Sequence, residues 1–224
     1  MSQHQLYADE IGAHLDSISG NIPLHRTASR HMYSFSKLPF NEQLVIWDLV
    51  WRTNNGFYPR LHAFFFLERH LKKENELLAL WPVIVKWQDN VDDWGLCDAL
   101  AKVYTRILEI APQAVYAQLR EWNFDANLWK RRQSVVSLLY YSRTKKRYLD
   151  FEQIIALITP LLEDKEYYVQ KGVGWTLREL HNAYPKLALG YLKKHIQLVS
   201  SSVLATAVEK MDVEVVKELR GMRK

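Results

Sequence analysis

Residues 92–109 read DDWGLCDALAKVYTRILE. Stepped at about 100° per residue, Leu96, Leu100, Val103, Tyr104 and Ile107 form one apolar stripe, the spacing of a helix packed on a core. Trp94, Asp98, Ala101 and Thr105 fall on another face. A tryptophan and a carboxylate therefore stand one turn apart outside the main stripe. Either Trp94 packs on a neighbouring helix while Asp98 caps or pairs, or the two line a cleft. The helical period continues in both directions. It predicts helices over 3–18, 25–35, 39–53, 59–72, 75–88, 112–122, 127–143, 150–163, 167–183, 186–198, 201–211 and 212–220. Pro39, Pro59, Pro112 and Pro185 sit where a first helical turn tolerates proline, and Asn127 and Asp150 are suited to N-caps. No stretch alternates over strand length, and Asn55-Gly56 joins two helical patterns rather than two strands.

Three segments are loosely comparable, around Trp94, Trp129 and Trp175, with spacings of 35 and 46 residues. That is near the roughly 40–47 residues of HEAT-like repeats. The expected fold class is all-α: an α-solenoid of HEAT-like antiparallel helix pairs with a concave basic face. It is read as one domain over 1–224, with 1–38 as N-terminal capping helices.

Composition narrows the function classes. Of 224 residues, 48% are apolar and 25% charged, which excludes a disordered chain. Eight Gly and seven Pro exclude collagen and low-complexity repeats. The single cysteine, Cys97, excludes a disulfide scaffold and a cysteine zinc cluster, fits a reducing cytoplasm, and reads as a core residue. The apolar run 63–67 is too short to span a bilayer. MSQHQLYADE has no apolar signal stretch, so a cytoplasmic protein without membrane contact is expected; it is also expected to be a monomer. Net charge is +5 and its distribution is uneven. Residues 126–149 hold Lys130, Arg131, Arg132, Arg143, Lys145, Lys146 and Arg147 without an acid, and 88–98 hold Asp89, Asp92, Asp93 and Asp98 without a base. A basic stretch suits a phosphate backbone.

Two more helices place residues on unexpected faces. In 127–143, Leu128, Val135, Val136 and Leu139 share a face with Arg132 in its middle. A charge there needs a carboxylate partner or a cleft. In 167–183, Val169, Val173, Leu177 and Leu180 form the stripe, while Trp175 lies opposite with Lys171, Arg178 and Asn182. Such a face either stacks on a base or sugar while cations hold phosphates, or buries Trp175 against the next repeat. Gly172 and Gly174, mid-helix, suggest close approach of another backbone or a ligand.

Other chemistries find no footing. The acidic run from Asp89 has Trp94 where a calcium loop needs its glycine, and lacks the terminal glutamate. The histidines show no paired metal spacing, and phosphate-loop, dinucleotide and nucleophile-elbow motifs are absent. No metal and no cofactor are expected.

These residues resemble the AlkD-type DNA alkylation repair glycosylases, built of HEAT-like repeats, most firmly over 80–184. DDWGLCD places Trp94 and Asp98 on the family's catalytic Trp-xxx-Asp. NLWKRR places Arg132 on its active-site arginine. YYVQKGVGWTLRE places Trp175 on its second cleft tryptophan, within K-x-x-G-W-x-L-R-E. Gly95 departs from the acid that often follows the first tryptophan. A cleft aromatic is also expected from the first helices, at Tyr7, Tyr33 or Phe35. The resemblance implies a monofunctional hydrolase of base excision repair. It would release N3- or N7-alkylated purines (3-methyladenine, 7-methylguanine) from duplex DNA without enclosing the lesion. Breaking the N-glycosidic bond builds oxocarbenium-like charge on deoxyribose, which the Asp98 carboxylate stabilises while positioning water. Trp94 and Trp175 would pack on sugar and backbone, and Arg132 would hold a phosphate or orient Asp98. Lys130, Arg131, Arg143, Lys145, Lys146, Arg147, Lys171 and Arg178 would track the duplex. The alternatives are a non-catalytic HEAT-like DNA-binding protein and a protein-binding scaffold.

Overall fold

The computed structural model describes residues 2–223. Among them are thirteen α-helices, three short 3-10 turns and no strand. Two compact units make up the chain, Met1–Val103 and Tyr104–Lys224. Among the described residues no helix is long and apolar enough to cross a membrane.

The first unit contains α1 (Gln3–Asp16), α2 (Ile22–Ala28), α3 (Phe40–Thr53), α4 (Phe57–Glu68), α5 (Glu74–Ile84) and the start of α6 (Trp94–Ile110). Helix α3 packs on α1, α4 and α5, and α2 packs on α4. Its core is aromatic. The Trp51 and Trp87 rings stack at 4.5 Å. The Trp51 indole N–H donates to the Trp87 carbonyl at 3.0 Å, and that of Trp87 to Asp48 at 2.8 Å. Phe64, Phe65 and Phe66 are all buried, each worth about 2–3 kcal/mol of apolar transfer. The helix expected over 25–35 ends at Ala28. Beyond it the Ser34 backbone N–H donates to Glu10 at 2.9 Å, and Tyr33 N–H to the Ser36 hydroxyl at 2.8 Å. Side chains thus capture donors that a helix would use.

A histidine pair lies in this unit. His25 Nδ1 and His62 Nε2 share a hydrogen bond at 3.1 Å, and His25 stacks on Tyr58 at 3.7 Å. Burial, with His25, His14 and Arg69 nearby, pushes His62 down to about 4. The unfolded chain, with an ordinary histidine pKa near 6.5, binds the proton more readily. Stability is therefore complete above about pH 6.5 and falls toward pH 4. The expected loss from His62 at pH 5 is about 2 kcal/mol. Urea midpoints of wild type and His62→Gln at pH 7.5 and 5 check this: the variant should lose less, and equal losses would contradict it.

The second unit contains the rest of α6, then α7 (Pro112–Trp122), α8 (Leu128–Val136), α9 (Phe151–Ile158), α10 (Tyr167–Ala183), α11 (Pro185–His195), α12 (Ser201–Ala207) and α13 (Val213–Gly221). Helix α10 is central, packed on α8, α11 and α12. Val169, Val173, Leu177 and Leu180, its expected stripe, are all buried. Asn127 caps α8, its carboxamide oxygen accepting from Trp129 N–H at 2.8 Å. Before α9, the Asp150 N–H donates to Gln153 Oε1 at 3.2 Å. Pro112 and Pro185 open α7 and α11. Pro160, without an amide proton, lies in the 3-10 turn after α9, so the helix expected over 150–163 stops at Ile158. The helix expected over 127–143 stops at Val136.

Candidate functional site

Helix α6 opens on an aspartate cap: Asp93 Oδ1 accepts the N–H groups of Gly95 at 2.7 Å and Leu96 at 3.3 Å. A Cβ on Gly95 would lie 2.9 Å from that oxygen, so a larger residue here would have to shift the Asp93 carboxylate. The cap fixes the first turn, and with it Trp94 and, one turn on, Asp98. The stripe of Leu96, Leu100, Val103, Tyr104 and Ile107 is buried, as is Cys97. Trp94 is 53% exposed and Asp98 half-buried. Solvent reaches both side chains, so both are accessible to a ligand.

In the second unit, Arg132 lies at the α8–α10 contact, 6% exposed. Its guanidinium donates to the Tyr168 carbonyl at 2.7 Å. Gly172 makes room for it: a Cβ there would meet Arg132 Cγ at 3.1 Å. Gly174 serves a different approach, since its Cβ would fall 2.8 Å from the Val203 carbonyl oxygen and from Thr206. Both mid-helix glycines thus answer to close neighbours, one a side chain and one a backbone.

Trp175 is half-buried, with Tyr140 at 5.4 Å, Tyr141 at 6.0 Å and the Arg178 guanidinium 5.8 Å from its ring. The charged residues of K-x-x-G-W-x-L-R-E each find a partner. Lys171 donates to Thr206 at 3.0 Å, and Arg178 pairs with Glu209. Glu179, 4% exposed, accepts the backbone N–H of Ser142 at 2.9 Å and its hydroxyl at 2.7 Å. Sequence reasoning leaves Glu179 in the quoted motif without a role and misses Ser142 and Tyr141. Their pairing spans 37 residues and leaves no local sequence signal.

The expected duplex-tracking cations differ in their surroundings. Arg143, Lys146 and Arg147 are exposed; Arg143 also donates to Asn182 at 3.2 Å. Arg131 is tied to Asp164 at 2.7 Å, and Lys130 lies 3.5 Å from Asp125. Lys145 departs most from a phosphate-binding surface lysine. Its side chain is 2% exposed and 3.6 Å from the similarly buried Glu109. Its ammonium donates to the Thr105 hydroxyl at 2.7 Å, and burial, opposed by Glu109, lowers its pKa to about 8. Lys145→Ala should therefore cost about 2 kcal/mol or more of stability, by leaving Glu109 buried with one cation fewer. Lys146→Ala should leave melting unchanged and lower the salt slope of duplex binding by about one. Melting and salt titration of both variants check this; the reverse pattern would contradict it. A cavity of about 530 Å³ lies here, lined by Glu109, Arg120, Lys145, Arg147 and Tyr148 among others.

Of the three candidate N-terminal aromatics, Tyr33 and Phe35 are core residues, stacked on each other at 5.1 Å. Tyr7 is half-buried and takes a hydrogen bond from Gln3 at 2.7 Å. Among the described residues no group of three His, Cys, Asp or Glu side chains could hold a metal ion.

Residues 19–211 match the family described as DNA alkylation repair enzyme. The chain belongs to that family. The match takes in α6, α8 and α10, so every expected catalytic residue of this DNA alkylation repair family member lies inside it. No curated protein matches the sequence. Among solved structures, the chain is similar to the crystal structure of AlkD2 from Streptococcus mutans, at 20% identity and a TM-score of 0.63, covering 94% of this chain and all of that one. The structure of smu.31 from Streptococcus mutans UA159 is similar at 19% identity and a TM-score of 0.62, with the same coverage. At these identities the likeness is one of fold, an all-α helical-repeat architecture.

Proposed function

We propose that the chain is a monofunctional DNA glycosylase, releasing positively charged N3- or N7-alkylated purines from duplex DNA. The observation that carries this is the opening of α6. Within a DNA alkylation repair family, an exposed tryptophan and a carboxylate stand one turn apart, outside the apolar stripe that the same helix buries in the core. An alkylated purine already bears positive charge and leaves readily. The reaction then needs stabilisation of the sugar cation and delivery of water. Asp98 supplies the first by its negative charge and the second by accepting a proton from the attacking water. The ring face of Trp94 packs on deoxyribose and favours that cation, and the ring of Trp175 stacks on the bound strand. Arg132, anchored on the Tyr168 carbonyl, supplies positive charge for the lesion's phosphate. Arg143, Lys146 and Arg147 attract the duplex backbone.

No step of this mechanism uses an amine nucleophile. The product is an intact strand carrying an abasic site. The test uses an end-labelled duplex with one N7-methylguanine. Strand cleavage at the lesion only after alkali supports the proposal; cleavage without alkali would make the enzyme bifunctional, and an uncut strand in both treatments would refute hydrolysis. A second reading, duplex binding without catalysis, draws on Gly95, which stands where the resembling glycosylases often carry an acid. Binding with no alkali-labile product would favour it.

A further inference from the structure

Tyr141 has φ of +46° and ψ of +65°, a left-handed conformation that disfavours every side chain bearing a Cβ and is ordinarily filled by Gly or Asn. The residue is nevertheless 57% exposed. A bulky apolar residue is thus held in a strained backbone with more than half its surface in water, which neither propensity nor burial favours. The surroundings enforce that state from both sides. After it, Ser142 is pinned by both bonds to the buried Glu179 carboxylate. The Tyr141 carbonyl is taken by the Thr144 N–H at 2.9 Å and hydroxyl at 2.8 Å. The Ser142 carbonyl accepts from the Tyr148 hydroxyl at 2.8 Å. Beside it, Tyr140 and Trp175 meet the Tyr141 ring edge to face, at interplanar angles of 88° and 89°. Strain that persists because its neighbours over-determine it is characteristic of ligand-contacting positions.

The chemistry around the ring specifies the ligand. The exposed Arg143 follows two residues later, and the Arg178 guanidinium lies against Trp175. A rigidly presented aromatic with an exposed arginine two residues on suits a nucleotide, whose base or sugar takes the ring face while a phosphate takes Arg143; Arg178, engaged by Glu209, braces Trp175 instead. We propose that Tyr141 is a nucleic-acid contact residue. Its ring stacks on a base or deoxyribose of the bound strand, and Glu179, through Ser142, is the positioning residue that keeps it presented. This rests on duplex DNA being the substrate and adds to it a stacking contact outside the catalytic residues proposed above.

Left-handed strain gives the proposal a distinctive test. Glycine at 141 relieves the backbone, and that relief offsets the missing edge-to-face packing on Tyr140 and Trp175. Tyr141→Gly should therefore melt at or above the wild-type temperature. The same variant should bind a fluorescein-labelled duplex carrying a central tetrahydrofuran abasic analogue about tenfold more weakly or worse. Its salt slope should equal that of wild type, since no phosphate contact is removed. Tyr141→Phe, which keeps the ring, should bind as wild type. A Gly variant that melts lower yet binds normally would make Tyr141 a structural residue and overturn the inference. Wild type failing to bind the duplex at any salt concentration would instead overturn the underlying reading of the substrate, and this inference with it.

Discussion

Asp98→Asn is expected to slow base release at least a hundredfold, about 3 kcal/mol of transition-state stabilisation, while leaving duplex affinity nearly unchanged. The reasoning is electrostatic. A carboxylate opposes phosphate binding, so removing its charge should not weaken the ground-state complex. The cation it stabilises exists only as the glycosidic bond breaks, and interactions made only there affect rate rather than binding. Single-turnover release of N7-methylguanine, with anisotropy titration of the same duplex, separates the two quantities. Wild-type release by the variant would remove Asp98 from the mechanism. Equal losses in rate and affinity would make it a structural residue.

The second large effect concerns the fold beneath the site. A Cβ at Gly174 would sit 2.8 Å from the Val203 carbonyl oxygen and from Thr206, and α10 packs on α12 there. Backbone cannot rotate away as a side chain can. Gly174→Val should therefore cost about 3 kcal/mol or more. That lowers Tm by about 2–4 °C for each kcal/mol in a chain of this size. Gly190, exposed in α11 with nothing within 4 Å of an added Cβ, is the control. Gly190→Ala should raise stability by about 0.5–1 kcal/mol through helix propensity. Thermal melts of the pair check both signs. If Gly174→Val melts like wild type, the packing described for α10 is wrong.

What the sequence could convey follows from distance along the chain. The stripe of α6, with Trp94 outside it, is a local consequence of helical period, and the structure has that stripe buried as read; the exposure of Trp94, between the two alternatives open in the sequence, is seen only in the structure. The stripe of α10 is equally local. The early ends of α2 and α8 are not. Glu10 takes the Ser34 N–H across 24 residues, and Glu179 takes the Ser142 N–H across 37. No periodicity within either segment anticipates a carboxylate arriving from elsewhere. The basic stretch 126–149 was legible as charge, but its partners were not. Glu109 and Thr105 turn Lys145 inward, and Asp164 engages Arg131. Arg132 was legible as an arginine on an apolar face, and Gly172 as a site of close approach. That the two answer each other became apparent only in three dimensions. Tyr141 was invisible for a further reason: a left-handed tyrosine follows no propensity rule and exists only because its neighbours impose it.

The central claim is hydrolysis of the bond between an alkylated purine and its sugar. Its most direct test is chromatography of the supernatant after duplex DNA containing N7-methylguanine is incubated with wild-type protein. Free 7-methylguanine accumulating above the spontaneous rate, and failing to do so with Asp98→Asn, is the predicted result. A wild-type supernatant with no more free base than buffer alone, from protein that demonstrably binds the duplex, would contradict it.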